Sequence, residues 1–136
     1  MDDIEYGLRT DVADEEINTL HAAAFGHEIL AVPWSTRLRG HSLFWVTARR
    51  HRNLIGFVNV IGDGGAHAVL LDLCVDPVSQ GRGIGQRLVR TAADESARRG
   101  CQWLHADYES PLRTFYEDRC GLRPSPAGLL RLSPSC

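Results

Sequence analysis

Three closely spaced stretches, residues 42–49, 54–61 and 66–75, are mainly apolar runs with β-branched and aromatic side chains, the third apolar on both faces around a single acid as a strand in the middle of a sheet would be. Arg50, His51, Arg52 and Asn53 separate the first two, and Asp63, Gly64 and Gly65 close the second. The pattern predicts three antiparallel strands in a meander. A shorter strand is expected over residues 4–9. Ala13, Ile17, Leu20 and Ala24 then recur at helical spacing, after Thr10 and Asp11 as capping oxygens and before Gly26 as a stop. Pro33 interrupts residues 27–41, where Trp34 and Leu38 lie four apart and share one face of a short irregular helix ending near Gly40.

The clearest helix carries Ile84, Leu88 and Ala92 on its buried stripe with Val89 and Ala93 beside it, and ends on Arg98, Arg99 and Gly100. Residues 101–107 read as a strand, so strand, helix and strand form a βαβ-like unit whose right-handed crossover makes the two strands parallel neighbours. Ser110 and Pro111 open a short helix over 111–118, and 128–132 is expected to be a last short strand. The elements together predict one mixed α/β domain over residues 1–136, a mostly antiparallel sheet with one parallel pair and about four helices.

Composition narrows the chemistry. With 15 basic and 17 acidic residues the net charge is -2, which supplies no global field for nucleic acid or an anionic membrane surface. All the basic residues are arginines, which excludes a P-loop and a pyridoxal-phosphate Schiff base, since each needs a lysine. Cys74, Cys101, Cys120 and Cys136 form no C-x-x-C pair and the six histidines show no ligand spacing, so neither a metal site nor a disulfide framework is expected. Free thiols, an acidic start (Asp2, Asp3, Glu5) and no apolar run of about 18 residues predict a cytoplasmic protein with no membrane span. Arg49, Arg50, His51 and Arg52 sit on a hairpin connector without aromatic interleaving and read as a solvated turn.

Asp72 is the one acid in the apolar stretch 66–75. Strand alternation puts it on one face with Leu70, Cys74 and Asp76, in surroundings that would raise a carboxyl pKa; it is a candidate general base or an Asp bonded to nearby backbone. Gln80, Gly81, Arg82, Gly83, Ile84, Gly85 and Gln86 follow at the head of the long helix, where free N–H groups and the helix dipole favour an anion such as pyrophosphate. The spacing is not that of a dinucleotide-binding G-x-G-x-x-G: counted from Gly81 it meets Gln86, and from Gly83 it meets Leu88. Cys74 reads as an inert core thiol, because no nucleophile elbow surrounds it.

Val75, Asp76 and Pro77, followed by the glycine turn from Gln80 to Gly85, resemble the GNAT superfamily signature V-x-P then [QR]-x-x-G-x-[GA]. Leu112, Arg113, Thr114, Phe115 and Tyr116, then Cys120, Gly121 and Leu122, are similar to its F-Y-x-x-x-G-F segment. The resemblance implies a sheet whose parallel pair is splayed at the cofactor site and an N-acetyltransferase that uses acetyl-CoA without a metal. Leu73, Cys74 and Val75 would then offer main-chain groups to the pantetheine arm and an oxyanion, while Gly81 to Gln86 surround the pyrophosphate. Arg82 would either bind phosphate or stay solvated.

Tyr116 aligns with the family's acid, and a phenol is protonated at neutral pH. Two departures stand out: Gly121 follows Tyr116 by five residues where the family commonly has four, and Glu109 stands where many relatives have a cofactor-binding Asn. The acceptor region includes His27, Glu28, Trp34, His67 and His105, with Trp34 as a wall for an apolar amine. The acceptor is expected to be a small amine, and many relatives form homodimers. A catalytically silent acyl-CoA-binding module is the alternative.

Overall fold

The computed structural model describes residues 3–134. Its strands are β1 (Ile4–Leu8), β2 (Phe44–Arg50), β3 (Asn53–Gly62), β4 (His67–Val75) and β5 (Trp103–Ala106), and they lie in that order across one sheet. The first four pair antiparallel, and β5 pairs parallel with β4. Three α-helices accompany them: α1 (Asp14–Phe25), α2 (Trp34–His41) and α3 (Ile84–Arg98).

The β2–β3 connection is tight because His51 (φ 48°) and Arg52 (φ 73°) both adopt the left-handed conformation that a two-residue hairpin of this twist requires. Arg49 does not present its charge there. Its guanidinium donates to both Glu16 carboxylate oxygens at 2.7 and 2.9 Å and to the Arg52 carbonyl at 2.7 Å. At the start of α1 the expected cap moves downstream. Ala13 is the N-cap and its N–H donates to Glu16 at 3.0 Å, whereas Thr10 bonds the Thr47 hydroxyl at 2.9 Å. Gly26 ends α1 as expected, left-handed at φ 73°.

The sheet separates two apolar cores. On one face α3 lays Ile84, Leu88, Val89 and Ala92 onto Phe44, Val46, Val58 and Val60. Gly56 lets it close in, since a Cβ there would stand 3.0 Å from Leu88 and 3.1 Å from Ile84. On the other face α1 and α2 pack Ile17, Leu20, Trp34 and Leu38 against Trp45, Phe57 and Cys74.

Glu95 anchors the last turn of α3 with almost no exposed surface, accepting from Arg98 Nε at 2.9 Å and Arg99 Nε at 2.6 Å. Those bonds hold its carboxyl down at about 2. A carboxyl depressed in the folded state stabilises the fold above its unfolded value, and that contribution fades as pH falls towards 2. Thermal melts between pH 5 and 2 are therefore expected to fall more steeply for the native chain than for Glu95→Gln.

The C-terminal third departs from expectation. Residues 111–118 are not one short helix: a 3₁₀ turn at Ser110–Leu112 is followed by a π-helical turn at Thr114–Arg119. The wider winding absorbs the extra residue between Tyr116 and Gly121. The Cys120 N–H reaches the Phe115 carbonyl at 3.0 Å, and the Leu122 N–H reaches Tyr116 at 2.9 Å across left-handed Gly121. Residues 128–132 form no strand. Leu129, Leu130 and Leu132 are more than four-fifths exposed, and β5 remains a sheet edge.

Candidate functional site

Pairing between β4 and β5 runs from His67 opposite Trp103 to Leu70 opposite Ala106 and stops there. β5 ends at Ala106 while β4 continues to Val75, so the last five residues of β4 have no strand partner on that side. The unpartnered end coincides with a bulge. Asp72 takes a left-handed φ of 58°, and the register with β3 jumps from Asn59 opposite Leu71 to Phe57 opposite Cys74.

The bulge overturns the simple alternation. Leu70 packs in the α3 core, but Cys74 packs in the α1–α2 core. The Asp72 carboxylate does not lie in a wholly apolar setting with Leu70. It is about one-fifth exposed and meets His21 Nε2 of α1 at 3.5 Å. Leu73 and Val75 turn their side chains to the α3 core, so what they can offer a ligand is main chain.

Beyond Val75, Asp76 accepts the Val78 N–H at 3.3 Å and caps a 3₁₀ turn at Pro77–Ser79. Gln80 Nε2 ties the next residues back by donating to the Val75 carbonyl at 3.1 Å. Gly81 and Gly83 are both left-handed at φ 80°, and a Cβ on either would meet no atom within 4 Å. Gly83 is the N-cap of α3, so the first free N–H groups of that helix open into this space. Arg82 is exposed beside them. The next two positions do different work: Ile84 is a core residue, and a Cβ at Gly85 would press on the Phe115 ring at 3.2 Å. Gln86 joins α3 to the π-helical turn by donating to the Arg119 carbonyl at 3.0 Å.

Phe115 carries the contact onward to Tyr116, edge-on with ring centroids 4.9 Å apart. Tyr116 is 7% exposed and stacks on Tyr108 at 4.7 Å. Burial pushes its phenol above the ordinary tyrosine value, so it holds its proton at neutral and mildly alkaline pH. The acid candidate thus packs on the α3 side of the sheet and Asp72 faces the α1 side.

Other predicted positions scatter. Trp34 is 2% exposed and its indole N–H donates to Asn18 at 3.1 Å, which makes it core instead of an acceptor wall. His67 and His105 bond each other at 2.8 Å on the still-paired length of β4 and β5. Glu28 and Glu109 are exposed, and His27 bonds His21 at 2.7 Å. A broad groove of about 1190 Å³ runs along α3, β5 and residues 119–129, and of the positions singled out in the sequence Gln86 and His105 line it. His21 is the residue that sequence reasoning missed. It follows Leu20 and lies four beyond Ile17, on the edge of the buried stripe, and that position was the available signal.

Burial raises the Cys74 thiol to about 12, so it carries almost no thiolate at pH 8. Iodoacetamide at pH 8 followed by peptide mapping is expected to leave Cys74 unmodified in the folded protein and to modify it once the chain is unfolded.

The Acetyltransferase (GNAT) family matches residues 10–122. The chain belongs to that family. Solved structures repeat its fold at low identity. A GNAT-family acetyltransferase from Streptococcus pneumoniae superposes with a TM-score of 0.78 at 20% identity, covering 97% of this chain and 99% of that one. An acetyltransferase from Trypanosoma brucei reaches 0.80 at 19% identity over 97% and 100%. Glucosamine-6-phosphate N-acetyltransferase from Arabidopsis thaliana reaches 0.74 at 13% identity over 93% and 97%. No curated protein matches the chain. Acetyl-CoA is the donor that the GNAT family uses, and the open glycine turn and the unpartnered β4 end of this GNAT domain suit a long ligand with an anionic centre. Among the described residues no helix is long and apolar enough to cross a membrane.

Proposed function

We propose that this GNAT domain transfers the acetyl group of acetyl-CoA directly to a primary amine of a small molecule. The observation that carries the reading is the contact chain from the glycine turn at the head of α3 to a buried phenol, Gly85 against Phe115 and Phe115 edge-on to Tyr116, next to a β4 end that has no partner on the β5 side. The turn N–H groups suit the pyrophosphate and the β4 main chain suits the pantetheine arm. An N–H of Leu73 or Cys74 faces the oxyanion that forms as the amine nitrogen attacks the thioester carbon.

As the C–S bond breaks, Tyr116 gives its phenolic proton to the leaving sulfur and is reprotonated from solvent. Asp72, facing the α1 side, draws a cationic amine towards the thioester. Direct transfer fits the site, because burial raises the thiol pKa of both Cys74 and Cys120, which keeps them protonated.

Calorimetric titration with acetyl-CoA and with CoA, followed by mass spectrometry of small amines incubated with acetyl-CoA, tests the proposal. Binding together with an acetylated amine supports it. Binding with no product across a broad amine panel replaces it by a silent acyl-CoA-binding module, and absence of binding overturns both.

A further inference from the structure

Asp72, His21, His27 and the main chain of Glu28 form one continuous chain of contacts. Asp72 Oδ1 lies 3.5 Å from His21 Nε2, His21 Nδ1 lies 2.7 Å from His27 Nε2, and His27 Nδ1 lies 2.6 Å from the Glu28 carbonyl oxygen. Hydrogen bonding across all three contacts needs three protons, and two neutral imidazoles bring two. The donor and acceptor chemistry of the partners assigns those two. A carbonyl only accepts, so the 2.6 Å contact requires the His27 proton on Nδ1. His27 Nε2 is then an acceptor, and the 2.7 Å contact requires the His21 proton on Nδ1. That leaves the His21 Nε2 lone pair facing the Asp72 carboxylate, two acceptors at the longest of the three separations.

From this proton count we infer that His21 Nε2 is the base that takes the proton of the acceptor amine. One added proton completes the chain and turns His21 into an imidazolium held between a carboxylate and an imidazole. Asp72 is the counter-charge that receives the ammonium and steadies the imidazolium. His27, exposed at the far end, accepts the His21 Nδ1–H and so fixes the tautomer that leaves Nε2 free. In the step, the N–H bond of the acceptor breaks, an N–H bond to His21 Nε2 forms, and the electron pair left on the acceptor nitrogen makes the new bond to the acetyl carbon. After the product leaves, the imidazolium gives its Nε2 proton to water, which restores the Nδ1–H tautomer for the next turnover.

The surroundings keep His21 in the form a base requires. Phe25 of its own helix lies 4.5 Å away ring to ring, Trp34 of α2 covers it at 5.8 Å, and burial pushes its pKa below the ordinary histidine value. Arg37 of α2 and His27 of the following loop act in the same direction, and Asp72 of β4 opposes them. His21 is therefore neutral at pH 7. The exposed Phe25 ring beside it suits an amine carried on an apolar or aromatic body.

The inference rests on the acetyltransferase reading, and two measurements separate their failures. Nitrogen-15 spectra of the histidine rings, recorded between pH 5 and 8 without any substrate, are expected to show His21 as the Nδ1–H tautomer titrating below ordinary histidine, and lower still in Asp72→Asn. An Nε2–H tautomer, or a titration that Asp72→Asn leaves unmoved, overturns the chain. Acetyl transfer from acetyl-CoA to β-phenylethylamine is expected to lose about 10²-fold in kcat in His21→Gln, with acetyl-CoA affinity unchanged by calorimetry and the acidic limb of the native rate profile gone. Exposed His27→Gln, which leaves the core intact, is expected to show a smaller loss of the same kind. An unchanged acidic limb in His21→Gln overturns His21 as base while the transferase reading stands. No product from the native protein overturns both.

Discussion

Tyr116→Phe is expected to lower kcat for acetyl transfer by about 10²-fold or more while leaving acetyl-CoA affinity unchanged. The substitution removes one oxygen and little else. Phenylalanine keeps the ring that stacks on Tyr108 and meets Phe115 edge-on, so the folded state loses no packing. What it loses is the proton that neutralises a departing thiolate. Because burial holds the phenol above its ordinary value, the acid stays competent until pH passes that raised pKa. The native rate profile should therefore have an alkaline limb above about 10, the reference tyrosine value, and the variant should lack it. Steady-state rates across pH, paired with calorimetry, check both parts. Equal kcat in the two proteins would remove Tyr116 from the chemistry and leave it a packing residue.

The second large effect belongs to the glycine turn. Gly83→Trp is expected to weaken acetyl-CoA and CoA binding at least 100-fold while the domain stays folded. A side chain at φ 80° costs on the order of 1–2 kcal/mol of backbone strain, which is a few degrees of Tm for a chain of this size. Its Cβ enters open space, with no protein atom within 4 Å, so nothing in the core is displaced; the indole fills the volume in front of the first α3 N–H groups. Gly64→Trp supplies the control. Gly64, in the β3–β4 turn, has nearly the same φ of 82° and the same open surroundings, so it pays the same strain away from the site. Binding lost in Gly83→Trp and kept in Gly64→Trp assigns the loss to the ligand. Equal binding in both would place the pyrophosphate elsewhere.

Much of this architecture was legible from pattern alone. The meander of β2 to β4, the α3 stripe and the parallel return to β5 follow from periodicity and turn residues, because these elements bury one face and their spacing records it. The bulge was not legible. Ala68, Leu70, Asp72 and Cys74 alternate without interruption, and a left-handed Asp leaves no mark in the text that an extended Asp would not. Only the register with β3 shows that Cys74 has changed faces. Leu129, Leu130 and Leu132 failed for the opposite reason. Their composition suits a strand, but strand formation depends on a partner, and none pairs with them among the described residues. At the site, the glycine turn was readable because Gly81 and Gly83 hold a left-handed backbone that glycine adopts without strain. His21 was not, since its importance lies in what β4 and the α1–α2 loop bring to it from elsewhere in the chain.

The two cores on opposite faces of the sheet bear on how such a domain diversifies. α3, the glycine turn and Tyr116 belong to one packing unit, and α1, α2 and the loop between them to the other. The two units meet at β4, where Cys74 packs in the α1–α2 core and Asp72 faces His21, while the α3 stripe and Tyr116 lie on the far face of the sheet. Acceptor preference can then drift with the α1–α2 loop while the far face keeps its packing, and a library randomised over residues 28–33, with His27 kept, would sample that drift in the laboratory.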